Sequence, residues 1–324
     1  MHILILGAAG MVGRKLTEKL VRDGRLGNKE ISRMTLQDVV APAKPAGAAL
    51  PISLVTSDFA DPATAAPLLT HRPDVIFHLA AIVSGEAEEN FEKGYKINLD
   101  GMTYLLEAIR LTGGGYKPKL IFTSSIAVFG TPFEDKISDT FVLAPLTSYG
   151  TQKAICELLL ADYSRKGFVD GIGIRLPTII VRPGRPNKAA SGFFSGIIRE
   201  PLAGQEAILP VDDDVRHWAA SPASAVGFLM HAATLDTAPL GARRSLTMPG
   251  LSITVGEMLE TLRQVAGDDV VALVKRVPDE KIKTIVAGWA RDFDPARALS
   301  LGFKADADFA SIIRAHIADE AAKG

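Results

Sequence analysis

A glycine loop directly after the first apolar run constrains the fold of this chain more than any other feature. The run Ile3-Leu4-Ile5-Leu6 has the composition of a buried strand, and a helical pattern begins near Met11. Three glycines between them permit a tight turn, a close approach of the backbone to phosphate and close packing of the helix. They are Gly7, Gly10 and Gly13. Because free N–H groups at a helix start attract anions, this loop and the backbone of Met11 and Val12 predict a dinucleotide pyrophosphate site, with a plain tight turn as the alternative.

Short β-rich runs alternate with helical patterns through the first half of the chain. The helical patterns occupy residues 12–23 and 98–110, and such alternation predicts βαβ units with a parallel sheet covered on both faces. We therefore predict an α/β fold, a Rossmann-type doubly wound parallel sheet with a smaller C-terminal α+β part that binds substrate. The predicted strands are residues 2–6, 34–39, 53–56, 75–79, 120–124 and 171–175.

A segment rich in proline marks a change in the pattern. Pro183-Gly184-Arg185-Pro186-Asn187 is incompatible with regular structure, because proline lacks a backbone donor and fixes φ. We predict a dinucleotide-binding domain over residues 1–180 and a mainly substrate-binding part over residues 181–324. The chain is expected to return to the sheet near residues 215–250. Further on, Thr254 and Glu257 have the spacing of a capping box that starts a helix.

Composition excludes several classes of function. The 324 residues are 47% hydrophobic and 23% charged, as is typical of a soluble enzyme, and the net charge of −1 predicts no nucleic-acid partner. The one cysteine, Cys156, excludes an internal disulfide and a multi-thiolate metal site, and we expect no metal. No apolar run reaches the ~18 residues of a membrane span, and the first residues lack the basic region of a secretory signal. The expected location is the cytoplasm, without a membrane partner.

Acidic residues at strand ends are candidates for the adenosine half of a dinucleotide. Asp38 ends the second predicted strand, where a carboxylate binds the ribose hydroxyls of NAD and repels the 2′-phosphate of NADP. The cofactor is therefore predicted to be NAD, with a solvated loop aspartate as the alternative. Asp58 and Phe59 follow the third predicted strand and could hold the edge of the adenine ring.

Tyr149 and Lys153 are the candidate proton-transfer pair. They are four residues apart and share one helix face. A free tyrosine titrates at about 10, and a nearby ammonium lowers that pKa. The phenolate can then take a proton from a substrate hydroxyl while a hydride leaves the same carbon. The lysine can also bind the nicotinamide ribose; the alternative is an ordinary amphipathic helix start.

The fifth predicted strand ends in two serines, Ser124 and Ser125. Because strand ends of an open α/β sheet face the ligand crevice, a serine there can hold the reacting oxygen. We favour Ser125, which is nearer the turn and reaches further into the crevice. A serine that merely forms the turn is the alternative.

These features, in this order, resemble the extended short-chain dehydrogenase/reductases, which include the nucleotide-sugar epimerases. The match spans nearly the whole chain and rests on the glycine loop, His78-Leu79-Ala80-Ala81, Asn98, Ser124-Ser125, Tyr149 with Lys153, Arg175-Leu176-Pro177-Thr178, and residues 294–303. The resemblance implies that Leu79, Ala80 and Ala81 pass under the cofactor ribose, and that Pro177 and Thr178 close over the nicotinamide. It also implies that Asn98 braces the lysine through water, with a helix N-cap as the alternative. His78 is expected to be a core histidine.

Two segments depart from the nucleotide-sugar enzymes. Thr178 stands where those enzymes usually carry Asn before Tyr-Gly-Pro, and Arg216-His217-Trp218 replaces a frequent Arg-Asp-aromatic segment. The chain resembles instead the members that act on small acids. The resemblance implies NAD-dependent oxidation of a small hydroxy acid, with the C2 hydroxyl of D-erythronate as the expected site. The alternatives are a nucleotide-sugar epimerase or dehydratase with tightly bound NAD, and a sensor of NAD(H) that does no chemistry; the intact Ser/Tyr/Lys set argues against the sensor.

A sugar-acid substrate needs a partner for its carboxylate. Arginine binds carboxylates in a fork and stays charged when buried, so Arg182 and Arg216 are the candidates. Ser84 could donate its hydroxyl to the same acid, and Asn187 could bind a substrate hydroxyl; each could equally be a structural polar residue. The family resemblance also implies a homodimer formed through helices, for which the apolar run Leu158-Leu159-Leu160 is available if it is not core.

Overall fold

Twelve labelled strands and thirteen α-helices make up the main elements of the residues that the structure covers. The structure, a computed structural model, describes residues 1–184 and 191–322. The strands are β1 (His2–Leu6), β2 (Arg33–Asp38), β3 (Ile52–Thr56), β4 (Val75–His78), β5 (Lys119–Ser125), β6 (Asp170–Leu176), β7 (Thr178–Ile179), β8 (Ala207–Leu209), β9 (Arg216–Ala220), β10 (Ser245–Thr247), β11 (Leu251–Thr254) and β12 (Val274–Arg276). Two further pairs of two-residue strands are Arg25–Leu26 with Lys29–Glu30, and Ile137–Ser138 with Phe293–Asp294.

The helices fall between and after these strands. They are α1 (Met11–Asp23), α2 (Ala65–Leu68), α3 (Ser84–Glu89), α4 (Phe91–Gly94), α5 (Gly101–Thr112), α6 (Ser148–Arg165), α7 (Gly192–Leu202), α8 (Pro222–Thr234), α9 (Val255–Ala266), α10 (Asp268–Val271), α11 (Glu280–Ala287), α12 (Ala296–Ser300) and α13 (Phe309–Ala321). A π-helical turn, Tyr95–Asp100, leads into α5, and short 3-10 turns lie at Ile126–Val128 and Ala238–Leu240. Among the described helices, none is both long enough and apolar enough to cross a membrane.

Seven strands form one parallel sheet in the order β3-β2-β1-β4-β5-β6-β10. This is the order of a doubly wound dinucleotide-binding sheet with one strand added at its edge. The predicted α/β fold is confirmed, and each predicted strand of the sheet ends within one residue of the observed one. The helix predicted from residue 98 begins earlier, because the π-helical turn continues without a break into α5.

The first strand shows why the sheet is stable. All five residues of β1 are buried, and their side chains alternate between its two faces. Ile3 and Ile5 join the core under α1 and α8. Leu4 and Leu6 join the core under α5 and α6. A strand that is covered on both faces needs a continuous apolar run, which is the pattern at residues 3–6.

The second half of the chain builds a smaller layer and also returns to the large sheet. Strands β7, β9 and β11 form a three-stranded sheet, and β8 pairs with β12. Helix α8 packs against the large sheet, and β10 extends its edge beside β6. The capping box predicted at Thr254 and Glu257 is present at the start of α9. The division near residue 180 into two units stays a prediction.

Candidate active site

The carboxyl ends of β1, β4, β5 and β6 open into one cavity of ≈670 Å³. Ligands of open α/β sheets bind at this edge, where the strand order reverses. The glycine loop lines one side of the cavity. The other side is lined by the start of α6, the segment after β7, α7, β9 and the residues that follow α11. The cavity therefore joins a wall from the large sheet to a wall from the smaller layer.

The glycine loop has the shape that a pyrophosphate requires. Gly7 has a φ of +85°, and a Cβ on it would lie 2.6 Å from the backbone nitrogen of Ala80. A Cβ on Gly13 would overlap the carbonyl of Gly7, so the helix can approach only without a side chain there. Gly10 differs, because a Cβ added to it would lie 3.4 Å from the nearest protein atom, and the residue lines the cavity. No side chain caps the start of α1, so its N–H groups remain available to phosphate oxygens.

Several of the other predicted cofactor residues lie beside this loop. Met11, Val12, Leu79 and Ala81 line the cavity, whereas Ala80 packs its backbone against Gly7. Pro177 and Thr178 line the cavity further along. Asp38 lies at the end of β2, where its Oδ2 accepts the Ala9 N–H at 2.9 Å. This bond places the carboxylate against the glycine loop, although Asp38 is outside the cavity lining itself.

The two residues proposed for the adenine edge are not in the cavity lining. Asp58 caps its own turn by accepting the Ala60 N–H at 2.9 Å. The Phe59 side chain is buried and meets the ring of His78 edge-on, with centroids 5.1 Å apart. Apolar packing against the sheet occupies the Phe59 ring, and a role for the two residues at the adenine edge stays a prediction. His78 is buried as expected, and burial and the charge of Lys153 lower its pKa to about 3.

Ser125 and Tyr149 meet in the cavity at the start of α6. Thr147 caps this helix by accepting the Gly150 N–H, and Glu88 accepts the Ser148 N–H at 2.9 Å. Burial raises the pKa of Tyr149 to about 12, while the charge of Arg182 and a hydrogen bond from Ser125 act in the opposite direction. The cation that favours the phenolate is thus Arg182, whereas the sequence had pointed to Lys153.

Lys153 is nearly fully buried one helical turn below Tyr149. Its Nζ donates to the carbonyl of Thr123 at 2.8 Å and lies 5.6 Å from the centroid of the Tyr149 ring. Burial lowers the pKa of this ammonium to about 8. The lysine is therefore positioned by the strand end, and its charge is costly to maintain.

Arg182 is the predicted carboxylate partner that lies in the cavity. Its Nε donates to the Ile179 carbonyl and its Nη2 to the Ser191 hydroxyl, both at 3.0 Å. Ser84 lines the cavity as well. A second arginine, Arg199, was not expected; it donates to the Arg182 carbonyl and pairs with Glu200. Asn187 lies outside the described residues.

The prediction that Arg216 lies in the cavity was wrong, and the next residue, His217, lies there instead. Side chains alternate along β9, so His217 faces the cavity and Arg216 faces away. Arg216 donates to the Ser252 carbonyl at 2.9 Å and lies 3.5 Å from Glu257. The period-two alternation of this strand was the signal that could have identified His217.

His217 is a neutral wall of the cavity. Its ring stacks on Phe194 with centroids 4.9 Å apart and also contacts Trp289. Its Nε2 lies 2.5 Å from the Thr178 hydroxyl. Burial and the charge of Arg182 lower its pKa to about 3, so it carries no charge near neutral pH. Trp289 was not predicted either, because no local motif marks it.

Asn98 holds a loop and makes no direct bond to Lys153. Its Oδ1 accepts the Ile82 N–H at 2.9 Å, and its Nδ2 donates to Gln152 at 2.7 Å. Asn98 lies within the π-helical turn, which excludes the N-cap alternative. It therefore ties the loop after β4 to the residue next to Lys153. A bracing role through water stays a prediction.

Residues 3–233 match the model of the NAD dependent epimerase/dehydratase family. The chain belongs to this family. It is 45% identical to the D-erythronate dehydrogenase of Cupriavidus necator, over 98% of each chain. The corresponding protein of Haemophilus influenzae is 42% identical, over 98% of this chain and 99% of that one. A crystal structure described as a nucleoside-diphosphate-sugar epimerase from Agrobacterium tumefaciens is 60% identical, with a TM-score of 0.97, over 100% of this chain and 95% of that chain.

Membership confirms the family resemblance and the predicted cofactor, NAD. The glycine loop fits this cofactor on structural grounds, since Gly10 lines the cavity without a side chain in front of an uncapped helix start. Gly7, Gly10 and the first N–H groups of α1 would hold the pyrophosphate. Asp38 is bonded to this loop and Lys153 lines the same cavity, and their roles toward the two ribose groups stay predictions.

Proposed function

We propose that this protein is an NAD-dependent dehydrogenase that oxidises D-erythronate at C2 to 2-dehydro-D-erythronate. The observation that carries the proposal is the presence of a phenol, a serine hydroxyl and a guanidinium in one cavity beside the glycine loop. The phenol and serine suit a substrate hydroxyl, and the guanidinium suits a carboxylate. Two relatives of nearly the same length, named D-erythronate dehydrogenase, support this substrate.

Each side chain has a defined task in the proposed reaction. Arg182 binds the substrate carboxylate and so orients C2. Ser125 holds the C2 hydroxyl by a hydrogen bond, and Tyr149 in its phenolate form accepts the hydroxyl proton as the C–H bond breaks. NAD, when bound, supplies the acceptor for the hydride. Lys153 keeps positive charge beneath the phenol and binds the nicotinamide ribose.

Arg182 suits the carboxylate better than Arg199 does. The guanidinium of Arg199 already pairs with the carboxylate of Glu200. Among the residues that the structure describes, the side chain of Arg182 donates to neutral oxygens, the Ile179 carbonyl and the Ser191 hydroxyl. A substrate carboxylate would provide the charged partner that a half-buried guanidinium favours.

The electrostatics of Tyr149 change when an acid binds. With the site free, Arg182 is the cation that opposes the effect of burial on the Tyr149 pKa. A substrate carboxylate offsets the charge of Arg182. Lys153 is then the cation left beside the phenol, so its protonation state matters most in the complex with substrate.

The most direct experiment mixes the protein with NAD and a panel of four- to six-carbon sugar acids and follows NADH by absorbance. We expect net NADH formation with D-erythronate and much less with neutral polyols. The second candidate is a nucleotide-sugar epimerase, the activity by which the 60% identical Agrobacterium structure is described. Conversion of a nucleotide sugar without net NADH would favour that candidate. NAD binding with neither turnover would favour a sensor.

We also propose a homodimer in the cytoplasm. The run at residues 158–160 is split by the helix, since Leu160 is core while Leu158 is 67% exposed. An exposed leucine on a long helix supports a helix-to-helix contact between two copies. Light scattering coupled to size exclusion should give twice the chain mass for the protein and a lower value for Leu158→Lys. A single-chain mass for the unchanged protein would rule the dimer out.

A further inference from the structure

Helix α6 carries a second buried ionisable side chain one turn after Lys153. Glu157 is 4% exposed and Lys153 is 2% exposed, and their spacing places them on the same helix face. Consecutive residues of β5 hold the two. The Thr123 carbonyl accepts a hydrogen bond from the ammonium at 2.8 Å, and the Ser124 hydroxyl donates to Glu157 Oε1 at 2.5 Å. The strand end thus fixes an ammonium and a carboxylate side by side.

The same carboxylate also receives a guanidinium from β6. Arg175 Nε lies 2.9 Å from Glu157 Oε1, and its Nη2 lies 2.7 Å from Oε2. A second acid, Asp139, lies 3.7 Å from Arg175 Nη1 and accepts the Thr247 N–H. Arg175 therefore has two acidic neighbours, while Glu157 pairs with Arg175 and its charge also acts on Lys153. The Glu157–Arg175 ion pair links α6 to β6, and the hydrogen bond from Ser124 links both to β5.

The other titratable groups that face Lys153 are neutral near pH 7. Burial raises the pKa of Cys156 on the same helix to about 12, and that of Tyr149 to about 12. His78 of β4 has a pKa lowered to about 3. Asn98, from the π-helical turn, is uncharged. The remaining charged groups lie at the start of α6, where Arg182 faces Tyr149 and Glu88 accepts the Ser148 N–H at the surface.

Two acidic groups act on the Lys153 ammonium against its burial, Cys156 first and Glu157 second. The thiol of Cys156 is protonated at neutral pH and so contributes no charge there. The carboxylate of Glu157 accepts hydrogen bonds from Arg175 and Ser124. Glu157, which is ion-paired with Arg175, is therefore the acidic group that supports this ammonium.

We infer that Glu157 is a positioning residue that keeps Lys153 cationic in the closed site, by sharing its negative charge between Lys153 and Arg175. The inference rests on the proposed function, because the charge of Lys153 matters to turnover only if Tyr149 is the base. Substrate binding makes it more important, since the carboxylate offsets the charge of Arg182. Glu157 touches neither substrate nor reacting atoms and acts through Lys153 alone.

The test is Glu157→Gln, which keeps the size and hydrogen-bonding oxygen of the side chain and removes its charge. Protein with lysine labelled at 13Cε is titrated by NMR without NAD or substrate, and the Lys153 signal is identified by its loss in Lys153→Met. We expect the Lys153 midpoint to fall by at least about one pH unit, in line with the effect of an adjacent opposite charge. The alkaline limit of kcat/KM should fall by the same amount.

Two further variants separate the effect of the lost charge on the Lys153 midpoint from any effect on folding. Asp162→Asn is the matched control, since it makes the same change on an exposed face of α6, where Asp162 pairs with Arg165. It should leave the midpoint unchanged. In Glu157→Gln, Arg175 keeps Asp139 as its acidic neighbour, and Glu157→Gln with Arg175→Met is the second variant, measured if the single one does not fold. Loss of Arg175 alone would raise the Lys153 midpoint, so a lower midpoint in the double variant can come only from the missing carboxylate.

An unchanged Lys153 midpoint in Glu157→Gln, or in the double variant where the single one does not fold, would overturn the inference. The NMR readout is independent of turnover. If Lys153 shifts as expected but Tyr149→Phe retains full activity, the proposed function has failed and the inference has not. If Tyr149→Phe is inactive and the Lys153 midpoint does not move, the inference has failed and the proposed function has not.

Discussion

The two walls of the cavity differ in what holds them in shape. The glycine-loop wall is local and made of backbone, because Gly7, Gly10 and Gly13 lie within one strand–loop–helix unit. The opposite wall is assembled from side chains of distant segments, among them Arg182, His217 and Trp289. A local backbone site tolerates few substitutions but can be recognised in a sequence. A site made of distant side chains depends on packing and on buried charge.

The largest expected effect comes from the proton acceptor on the side-chain wall. Tyr149→Phe removes the phenol oxygen that, as the phenolate, would accept the substrate proton, so kcat should fall by about 10³-fold. NAD binding depends on the other wall and should be unchanged. Steady-state kinetics and a calorimetric NAD titration check both. A variant with substantial turnover would show that another group is the base.

The role of the glycine-loop wall in NAD binding can be tested by adding one methyl group. Gly10→Ala places a Cβ where no protein atom lies within 3.4 Å, so folding should be retained. The methyl group would occupy the position of a phosphate oxygen, and NAD affinity should fall on the order of 100-fold, from the loss of charged hydrogen bonds. Calorimetric titration with NAD measures the change.

Gly7→Ala is the comparison for this variant. Its Cβ would meet the backbone of Ala80, and its φ of +85° is unfavourable for alanine, so it should lose stability as well as affinity. Equal loss of stability in both variants would mean that a lower NAD affinity of Gly10→Ala reflects damage to the fold and not a contact with the cofactor.

The two arginines of the substrate prediction form a matched pair. Arg182→Ala should raise KM for D-erythronate about 30-fold, because a charged hydrogen bond contributes roughly 2 kcal/mol. Its effect on a neutral polyol should be small. Arg216→Ala removes an exposed ion pair that faces away from the cavity, and both KM values should stay within about twofold. Equal effects of Arg182→Ala on acid and polyol would exclude it as the carboxylate partner.

The smallest expected effect is a pH dependence of the free energy of unfolding, which arises from Lys153 on the side-chain wall. The folded pKa of Lys153 is about 8, below its ordinary value of 10.5. The unfolded chain therefore binds the extra proton between these values, and the free energy of unfolding rises with pH across that window. Between pH 7.5 and 9, the protein should gain about 1 kcal/mol relative to Lys153→Met. Urea unfolding of both proteins at the two pH values measures the difference, and a constant difference would contradict the lowered pKa.

The same contrast explains what the sequence could predict. The glycine loop, the strands and the Tyr149–Lys153 pair are encoded by short spacings, so local patterns were sufficient to find them. Arg199 and Trp289 belong to the cavity only because separate segments fold onto the sheet, and no short spacing carries that information. His217 is an intermediate case. The sequence does not mark it by a motif, but the alternation of side chains along β9 would have selected it over Arg216 as the residue that faces the cavity.

The contact of Trp289 with His217 has a practical consequence. The chain contains two tryptophans, and the other, Trp218, is buried with its indole N–H bonded to the Met248 carbonyl. Trp289 lines the cavity, so its emission should respond when a ligand enters while that of Trp218 stays nearly constant. The protein thus contains an intrinsic fluorescent reporter of occupancy, and removing Trp218 would isolate its signal without any added dye.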